Sequence, residues 1–578
     1  MSTTGADVDG DGYLVSVDGG AALARDLSLA GAKREVGLLR PAWPDDLVRH
    51  AEILHTCRRL PFLLHRHPPR RPEVLVPLLR CRALLGFLTG LVAAATTSSP
   101  TGAQVPPREY AARRAALAAR IDSGVVVAFG AVEPVNYWPT FFQLPAFYYL
   151  TGFSESDAVL VMVKQNGAVS ATMFVPTRDP IRERRDGART RVAELQARAG
   201  IGGSDITGLR PAIDSLAASG LPFYIVSDAQ TGDYVAQDSL TRGARFLSQV
   251  RLANPWLVMH SLDGAVDRLR AKKSDAEIAL LRQATEISSR AHREAMKATA
   301  PGCGENEIQA LLEGTFRRFG GDRPGYGSIV GSGPNATILH YMEDSRVMRD
   351  GELLLIDAAT SFDHYSSDVT RTMPVNGRFS PAQREIYQIV RDAQEAFVRQ
   401  IKPGVSYDVA SDSGKAVVAK GLVRLGLIQA ADATVDPPAG MQCPATGCLQ
   451  LQLYALHGFG GHGIGVEVHD PAQYYEEVDD RFGAGDVFTV EPGLYVSPDL
   501  LGSLPDTPRN RAMLAKTRPA VEKYAGMGIR IEDVYALTGS GLEWLSAGVP
   551  REIAEIEALM RQREPELAGG GSCGRLRT

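Results

Sequence analysis

The sequence predicts an α/β domain followed by a larger α+β domain, because the pattern of apolar residues changes along the chain. Between residues 104 and 262, strand-like apolar runs alternate with stretches of helical spacing, which is typical of an α/β domain. From 263 to 548, long helical repeats stand apart from short strands with polar punctuation, which is typical of an α+β domain. The 578 residues are enough for several domains.

In the first domain, a helical run is followed by three strand-like runs. The helical run covers 108–121, and the strand-like runs are 124–132, 170–176 and 221–228. Apolar and β-branched residues dominate the three runs, which favours strands of a sheet that is covered by helices.

Three helices are predicted in the second domain from their capping residues. Ser274 and Glu277 have the spacing of a capping box at the start of a long helix, which ends before Pro301. A second helix covers 305–319, and a third begins at Ser380 with Pro381 in its first turn. The strands of this domain are predicted in the segments SIVGSG, ELLLIDAA, SSDVTRTMPV, DVFTVEPGLYV and GIRIEDVYAL.

The composition excludes several classes of protein. Hydrophobic residues make up 44% and charged residues 22%, which is ordinary for a globular protein. The formal net charge of -5 argues against a nucleic-acid binder, which usually carries a strongly basic domain. No apolar run reaches the roughly 18–20 residues of a membrane span, so we expect no integral membrane association.

The N-terminal region contains a pattern that is typical of a secretory signal peptide. Arg80 and Arg82 precede an apolar run over 83–95, and small residues precede a cleavage site before Gln104. We therefore predict a signal peptide at 79–103 and export to the periplasm or the extracellular space. Otherwise the protein is cytoplasmic, and the apolar run is a buried helix of a genuine N-terminal domain.

A signal peptide acts only at the start of a chain, and here 78 residues precede it. We therefore expect translation to start near Leu79, so that 1–78 is a non-native upstream extension or a disordered segment. The mature chain then consists of an N-terminal domain (104–262), a second and larger domain (263–548) and a C-terminal tail (549–578).

Five ionisable residues lie in or beside apolar strands of the second domain. They are Asp357, Asp368, His462, Glu491 and Glu532. Taken singly, each acid is typical of a turn or of the surface. Together, four converging carboxylates repel one another unless cations neutralise them. Four carboxylates and one imidazole suit two divalent ions such as Mn, Co or Zn, which can activate a shared water and stabilise an oxyanion.

Several long motifs, in the same order, resemble the pita-bread metallopeptidase family and its aminopeptidase P and prolidase branch. They include FYYLTGFSESDAVLVM, IVGSGPNATILHY, LLLIDAATSFDHYSSDVTRTMPVNGRFS, HGIGVEVHD, TVEPGLY and GIRIED, and the resemblance covers about 107–545. It implies an α+β pita-bread catalytic domain preceded by an α/β N-terminal domain like those of creatinase and aminopeptidase P.

The resemblance also implies roles for individual residues. It makes Asp357, Asp368, His462, Glu491 and Glu532 the ligands of a dinuclear site in which Asp368 and Glu532 bridge both metals. Manganese is the expected ion, with zinc or cobalt as alternatives. His340 and His469 face the substrate as catalytic histidines, and Glu491 is the acid or base for the bridging water.

Three further residues are expected around the ligands or the substrate. Arg530 lies two residues before Glu532, hence on the same strand face, where it can orient a ligating carboxylate. Tyr495 belongs to TVEPGLY. His457 begins HGFGGH, which is one residue longer than the usual family motif, so its contact with the substrate is a weaker expectation.

The function implied by the resemblance is a metal-dependent Xaa-Pro aminopeptidase, which hydrolyses the bond before a proline at the second position of a peptide. The metals supply a bridging hydroxide for this reaction, and by resemblance we expect a homo-oligomer. The alternatives are a dipeptidase that cleaves only Xaa-Pro (prolidase) and a metal-independent pita-bread binding protein. A methionine aminopeptidase is less favoured, because that family normally lacks the N-terminal domain.

Two segments are longer than in compact relatives and lead back toward the predicted site. They cover 432–456 and 497–527, where they either form a wall of the substrate pocket or decorate the surface. Cys443 and Cys448 lie in the first of them and can form a disulfide in an oxidising compartment.

Overall fold

The computed structural model describes most of the two predicted domains. The described residues are 104–134, 141–228, 240–441, 443, 447–472 and 480–562. The predicted upstream extension (1–78), the signal peptide (79–103) and the end of the predicted tail (563–578) lie outside the described residues.

A six-stranded mixed sheet forms the centre of the N-terminal domain, in the order β4-β3-β2-β1-β5-β6. Its strands are β1 (Gly124–Phe129), β2 (Val159–Gln165), β3 (Ala168–Val175), β4 (Gly202–Asp205), β5 (Phe223–Val226) and β6 (Met259–Ser261). Strand β1 is antiparallel to β2 and parallel to β5. Every residue of β1 is buried, which explains its continuous apolar run.

Helices cover both faces of this sheet, as the α/β pattern predicts. They are α1 (Pro107–Ala118), α2 (Pro145–Thr151), α3 (Pro180–Asp186), α4 (Leu195–Ala199), α5 (Leu209–Ala218), α6 (Arg242–Ala253) and α7 (Asp263–Arg270). Leu117 and Leu150 belong to the apolar core on one face, and Ile213 and Val250 belong to the core on the other.

Long helices frame the second domain. They are α8 (Asp275–Ala298), α9 (Glu305–Arg318), α10 (Pro381–Val398), α11 (Tyr407–Leu425), α12 (Leu500–Ser503), α13 (Pro508–Tyr524) and α14 (Ile553–Met560). The predicted capping boxes are present: Ser274 and Glu277 cap α8 reciprocally, and Ser380 and Gln383 do the same at α10.

Short antiparallel strands make up the sheets between these helices. They are β7 (Arg323–Pro324), β8 (Ile329–Ser332), β9 (Leu353–Asp357), β10 (Thr360–Phe362), β11 (Tyr365–Ser366), β12 (Thr370–Pro374), β13 (Thr434–Val435), β14 (Cys448–Leu449), β15 (Asp486–Val490), β16 (Gly493–Val496), β17 (Met527–Arg530), β18 (Asp533–Thr538) and β19 (Gly541–Trp544). The sheets have the orders β12-β9-β8, β15-β18-β19, β11-β10-β7, β16-β17 and β13-β14.

The register of these strands brings the predicted ligands together. Asp357 is the last residue of β9 and pairs with Thr370 of β12. Thr370 lies two residues after Asp368, so the pairing brings the two aspartates close together. Val490 pairs with Asp533, so that Glu491 and Glu532 lie side by side at one end of the β15–β18 pair. Residues more than 150 positions apart in the chain therefore meet at the ends of the sheets.

Buried polar contacts join the two domains. Arg113 of α1 lies 3.2 Å from the Glu277 carboxylate at the start of α8, and both side chains are buried. The guanidinium also donates to the Tyr365 hydroxyl at 3.5 Å and lies 4.1 Å from the Tyr149 ring centroid. The N-terminal domain thus packs against the beginning of the catalytic domain.

The described part of the predicted C-terminal tail contains a helix. In α14, which lies beyond residue 548, Ile556, Leu559 and Met560 are buried in the large core of the catalytic domain, because their spacing puts them on one helix face. None of the helices in the described parts of the chain is long and apolar enough to cross a membrane.

Candidate active site and metal centre

Two aspartates and a tyrosine form one side of the site. The Tyr326 hydroxyl lies 2.6 Å from Asp357 Oδ1 and 2.5 Å from Asp368 Oδ1, so it touches both carboxylates. Both aspartates are buried. Asp357 is fixed at the end of β9, while Asp368 precedes β12, and the pairing of these strands sets the distance between them.

His462 lies between two of the predicted acidic ligands. Its Nε2 is 3.4 Å from Asp368 Oδ2 and 3.4 Å from Glu491 Oε1. Its Nδ1 lies 3.0 Å from the carbonyl oxygen of Gly463. This contact directs Nε2 toward the acids, as is usual for a histidine that binds a metal.

Glu532 completes the cluster from the turn between β17 and β18. Its Oε2 accepts a hydrogen bond of 2.6 Å from the Thr370 hydroxyl. Its Oε1 is buried and has no hydrogen-bond partner among the described residues. Ligand atoms of Asp368, His462 and Glu532 all lie within 4.8 Å of one another, close enough to bind one ion.

Burial and mutual repulsion shift the pKa values of the clustered acids. Burial, followed by the charges of Asp368, Glu491 and Asp357, raises the pKa of Glu532 well above its usual range. Burial also raises the pKa of Glu491 to about 7, although the charge of His462 opposes this shift. Excess negative charge is therefore the main electrostatic feature of the cluster.

The pKa of the His462 imidazole is shifted so that its charged form is favoured. Burial lowers the pKa of His462, but its contact with Asp368 and the charge of Glu491 outweigh burial and raise the pKa to about 9. The same contact lowers the pKa of Asp368, although burial alone would raise it. The acids around His462 thus favour a positive charge beside them, which is what a divalent ion supplies.

The cluster fits divalent metal ions by its donor set and by its unsatisfied oxygen. Four carboxylates and one imidazole are ligands that Mn, Co and Zn accept. Glu532 Oε1 is a buried acceptor without a donor, which is costly unless a cation binds it. The five predicted ligands are therefore brought together, and their roles as ligands stay a prediction.

Arg530 and Tyr495 support the ligands from behind. Arg530 forms a short ion pair with Asp357, and its Nε donates to the Thr370 hydroxyl at 3.1 Å. Its Nη1 donates to the Tyr495 hydroxyl at 2.7 Å. Arg530 therefore lies where the sequence analysis expected it, against a predicted ligand.

His457 continues this chain of contacts toward Glu491. Its Nε2 lies 3.2 Å from the Tyr495 hydroxyl and 3.7 Å from Glu491 Oε2. Burial and the charge of Arg530 lower the pKa of His457 to about 3, so its imidazole is neutral. The tautomer of this neutral imidazole sets the direction of its hydrogen bond with the Tyr495 hydroxyl group.

The two predicted catalytic histidines differ in how they approach the cluster. The ring of His469 lies 4.2 Å from that of His462, nearly perpendicular to it, and its side chain is exposed. His340 is also exposed, and its charge contributes to the low pKa of His457. No contact among the described residues joins His340 directly to a predicted ligand. His469 therefore lies at the open side of the site, and the role of His340 stays a prediction.

Tight packing of glycines holds the loop that carries His462. A Cβ atom on Gly461 would collide with Thr489, and one on Gly463 would collide with the backbone of Asp470. The backbone of the loop can approach β15 so closely only because these positions are glycine. In contrast, a Cβ on Gly458 would meet nothing within 4 Å.

A buried ionic cluster fixes the other end of this loop. Asp470 Oδ2 lies 2.9 Å from Lys273 Nζ, and Asp470 Oδ1 forms a short ion pair with Arg270. Arg270 also pairs with Glu467. Because Asp470 follows His469 directly, the end of α7 sets the position of the histidine loop from the domain boundary.

The sequence analysis missed three residues that contact the site or its loop. Tyr326, Thr370 and Asp470 touch predicted ligands or fix their loop. Tyr326 follows Pro324 and Gly325, which are residue types common in turns, and Asp470 is one acid among many. The sequence around these two residues therefore does not indicate a contact with the site. Thr370 lies two residues after Asp368, and this period-2 spacing could have placed it on the same strand face.

Family models match both domains. The model of metallopeptidase family M24 matches residues 279–539, and the model of the aminopeptidase P N-terminal domain matches residues 110–218. The first match contains all five predicted ligands and both predicted catalytic histidines.

Curated relatives match nearly over their full length. The chain is 34% identical to an Xaa-Pro aminopeptidase of Haemophilus influenzae, over 79% of this chain and 98% of the relative. It is also 34% identical to an Xaa-Pro aminopeptidase of Escherichia coli, with the same coverage of both chains.

Solved structures share the fold. Zinc-substituted aminopeptidase P of Escherichia coli in complex with product has a TM-score of 0.66 and 31% identity, over 80% of this chain and 99% of that chain. Aminopeptidase PepP of Pseudomonas aeruginosa has a TM-score of 0.66 and 32% identity, over 80% of this chain and all of that chain.

Proposed function

Because the chain belongs to metallopeptidase family M24 and is a metallo-aminopeptidase, we propose that it removes the N-terminal residue from peptides whose second residue is proline. The observation that carries this proposal is the convergence of Asp357, Asp368, His462, Glu491 and Glu532 at one buried cluster. The pita-bread catalytic domain and the aminopeptidase P N-terminal domain have the order found in its relatives.

The five clustered residues would hold two divalent ions. When bound, such ions lower the pKa of a water molecule and stabilise negative charge on the carbonyl oxygen of the scissile bond. Asp368 and Glu532 lie with His462 where ligand atoms are within 4.8 Å of one another, so these three residues would hold an ion together. Arg530 holds Asp357 in place, and Thr370 holds Glu532.

The proton transfers fall to groups beside the ligands. Glu491 belongs to the cluster, with its Oε1 3.4 Å from His462 Nε2, so its carboxylate can accept a proton from a water molecule bound there. His469 lies beside His462 on the open side of the site, and the family resemblance implies that His340 also faces the substrate. The two histidines would hydrogen-bond the substrate carbonyl group and deliver a proton to the proline nitrogen. Neutral His457 shares a hydrogen bond with Tyr495 and is a supporting group in this proposal.

A peptide series separates the proposed activity from that of a dipeptidase. We expect the Mn-loaded protein to release alanine from Ala-Pro-Ala at least as efficiently as from Ala-Pro. The relatives support this direction, since they are named Xaa-Pro aminopeptidases. Cleavage of the dipeptide alone would contradict the proposal and favour the prolidase alternative.

Substitution of central ligands tests the site. We expect Asp368→Ala and Glu532→Ala to lower kcat by at least about a thousandfold, because the metals lose a shared ligand. Asp412→Ala is the matched control, since Asp412 is an exposed acid on α11. Activity of either ligand variant within tenfold of the control would refute the assignment. A protein that binds no metal would support the metal-independent alternative.

We also propose manganese as the metal of the active protein, with zinc or cobalt as substitutes. The oxygen-rich donor set supports this proposal, because hard carboxylate ligands suit Mn. Elemental analysis of protein purified without added metal, together with reactivation of the metal-free protein by each ion, tests it. Highest kcat/KM with zinc would contradict the choice of manganese.

Export is a further proposal, which rests on the signal-like segment at 79–103 and on the cysteines. Cys443 and Cys448 form a disulfide, which is typical of proteins from oxidising compartments. N-terminal sequencing of the natural protein should give Gln104 as the first residue. Labelling without reductant should find no free thiol at either cysteine. A mature start far from Gln104 would contradict export through this segment.

A homo-oligomer is proposed by resemblance to the family alone. Sedimentation equilibrium of the metal-loaded protein should then give a mass that is a multiple of the chain mass. A mass that stays at one chain over the accessible concentration range would contradict it.

A further inference from the structure

A second cavity of about 490 Å³ adjoins the candidate active site. Its volume lies within the range of small-molecule sites. Half of its lining residues are apolar: Pro438, Met441, Leu453, Ala455, Leu456 and Leu500. A cavity of this size and lining suits an apolar side chain rather than a metal ion or a phosphate group.

The two long segments of the catalytic domain build most of the wall. Met441 and Leu453 belong to the first segment, 432–456, and Leu500 belongs to the second, 497–527. The Cys443–Cys448 disulfide lies in the first segment, close to Met441 in the chain. These segments therefore form a wall near the site, which was one of the two expectations that the sequence left open.

Tyr495 connects the cavity with the catalytic cluster. It lines the cavity, and its hydroxyl group accepts from Arg530 and contacts His457. Leu456, another lining residue, is 50% exposed and directly precedes His457. Thr337 lines the opposite part and lies three residues before His340. The cavity thus lies next to the groups that surround the substrate.

The direction of the substrate follows from the proposed activity. An enzyme that removes one residue has only that residue on the N-terminal side of the scissile bond. The remainder of the peptide, beginning with proline, lies on the C-terminal side. A cavity that lies beside the cluster, outside the ligands themselves, is therefore suited to a residue beyond the proline.

We propose that this cavity is a subsite for the residue that follows proline, with a preference for large apolar side chains. The inference rests on the proposed function and adds the substrate class, which is Xaa-Pro peptides with an apolar third residue. Asp499 is the only charged residue among those that line the cavity. Its carboxylate disfavours an acidic third residue, although it is exposed and water screens the repulsion.

Three tripeptides test the preference with the full-length Mn-loaded protein. We expect kcat/KM for Ala-Pro-Leu to exceed that for Ala-Pro-Ala by about tenfold, because the leucine side chain buries apolar surface. Ala-Pro-Glu should be cleaved less efficiently than Ala-Pro-Ala. The differences should appear mainly in KM, since the cavity is remote from the scissile bond.

Two variants connect the preference with the cavity. Ser503→Trp places a large ring in the cavity from an exposed position, and Leu456→Ser removes an apolar part of the wall. We expect Ser503→Trp to bring the ratio of kcat/KM for Ala-Pro-Leu to that for Ala-Pro-Ala close to one. Leu456→Ser should lower this ratio about threefold. Leu252→Ser on α6 is the matched control, since Leu252 is 81% exposed in the N-terminal domain.

The outcomes distinguish this inference from the proposed function. Cleavage of Ala-Pro-Ala without a preference for Ala-Pro-Leu overturns the subsite alone. Equal losses on both peptides in Ser503→Trp and Leu456→Ser, with melting temperatures like that of the control, also overturn it. If the Mn-loaded protein cleaves none of the three tripeptides, the proposed function fails and the subsite fails with it.

Discussion

Thr370 is a small residue with two hydrogen bonds in the site. Its hydroxyl group donates to Glu532 Oε2 at 2.6 Å and accepts from Arg530 Nε at 3.1 Å. It therefore aligns one predicted ligand directly and another, Asp357, through Arg530. Such outer contacts are important for metal affinity, since they fix the ligand before the metal binds.

We expect Thr370→Val to lower the affinity for Mn(II) by about 10–100-fold. Valine keeps the shape of threonine but removes the hydrogen bond to Glu532. Calorimetric titration of the metal-free protein with MnCl₂ measures the change. Thr372→Val is the control, because the Thr372 hydroxyl group contacts only the backbone of Arg530. Equal affinities of the two variants would contradict the positioning role.

Individual site residues were predictable from the sequence only where an ionisable side chain lies in or beside an apolar strand. Asp357, Asp368 and Glu532 were predictable as a group, because acids beside apolar strands require partners. The contact of Thr370 with Glu532 joins positions 162 residues apart, and no local pattern contains that information. Tyr326 was missed for the same reason, since its contacts depend on strand register.

At the scale of elements, the loop from His462 to Asp470 depends on the end of α7. Burial alone would raise the pKa of Asp470, but the charges of Arg270 and Lys273 outweigh burial and lower it. Asp470 is therefore ionised in the folded protein at any pH above its ordinary value of 3.8. In the unfolded chain, Asp470 takes up its proton at a higher pH than in the folded protein. The ion pairs of Asp470 therefore contribute fully to stability above about pH 4, and this contribution is lost as the pH falls below that value.

We expect Asp470→Asn to lower the free energy of unfolding at pH 7 by about 3 kcal/mol, since Arg270 and Lys273 lose a buried partner. The difference from the wild type should shrink below pH 4, because the unfolded chain takes up a proton on Asp470 there, whereas the folded protein does so only at a lower pH. Urea unfolding at pH 7 and pH 3 measures it. Asp267→Asn is the control, because Asp267 faces Arg270 from a more exposed position at 3.8 Å. A difference that does not change with pH would contradict this account.

Helices with capping boxes were the elements that the sequence predicted best. Ser274 and Ser380 begin α8 and α10 at the predicted positions, because a cap is a local feature. The described helix α14 lies in the segment assigned to the tail. Its apolar face is short, and its burial depends on the distant core that it covers.

At the scale of the whole molecule, Arg113 joins the two domains through buried contacts. It pairs with Glu277 across the boundary and with Glu109 in its own helix. The N-terminal domain is thus fixed at the helix that begins the catalytic domain. The order of the domains was predictable from patterning, whereas this contact between distant parts of the chain was not.

We expect Arg113→Met to lower the free energy of unfolding by about 3 kcal/mol, because Glu277 stays buried without its partner. Scanning calorimetry should show a lower melting temperature, and the two domains should unfold less cooperatively. Arg120→Met is the control, since Arg120 is exposed after the end of α1. If both variants melt at the same temperature, the boundary contact does not stabilise the molecule.

The glycines of the histidine loop have a consequence for sequence variation. Gly461 and Gly463 have no room for a methyl group, so even alanine is excluded at both positions. Gly460 is closed in the same way, since a Cβ there would collide with Tyr407, whereas Gly458 faces open space and has room for a side chain. During evolution, Gly458 can therefore be replaced, while the packed glycines around the ligand are closed to substitution.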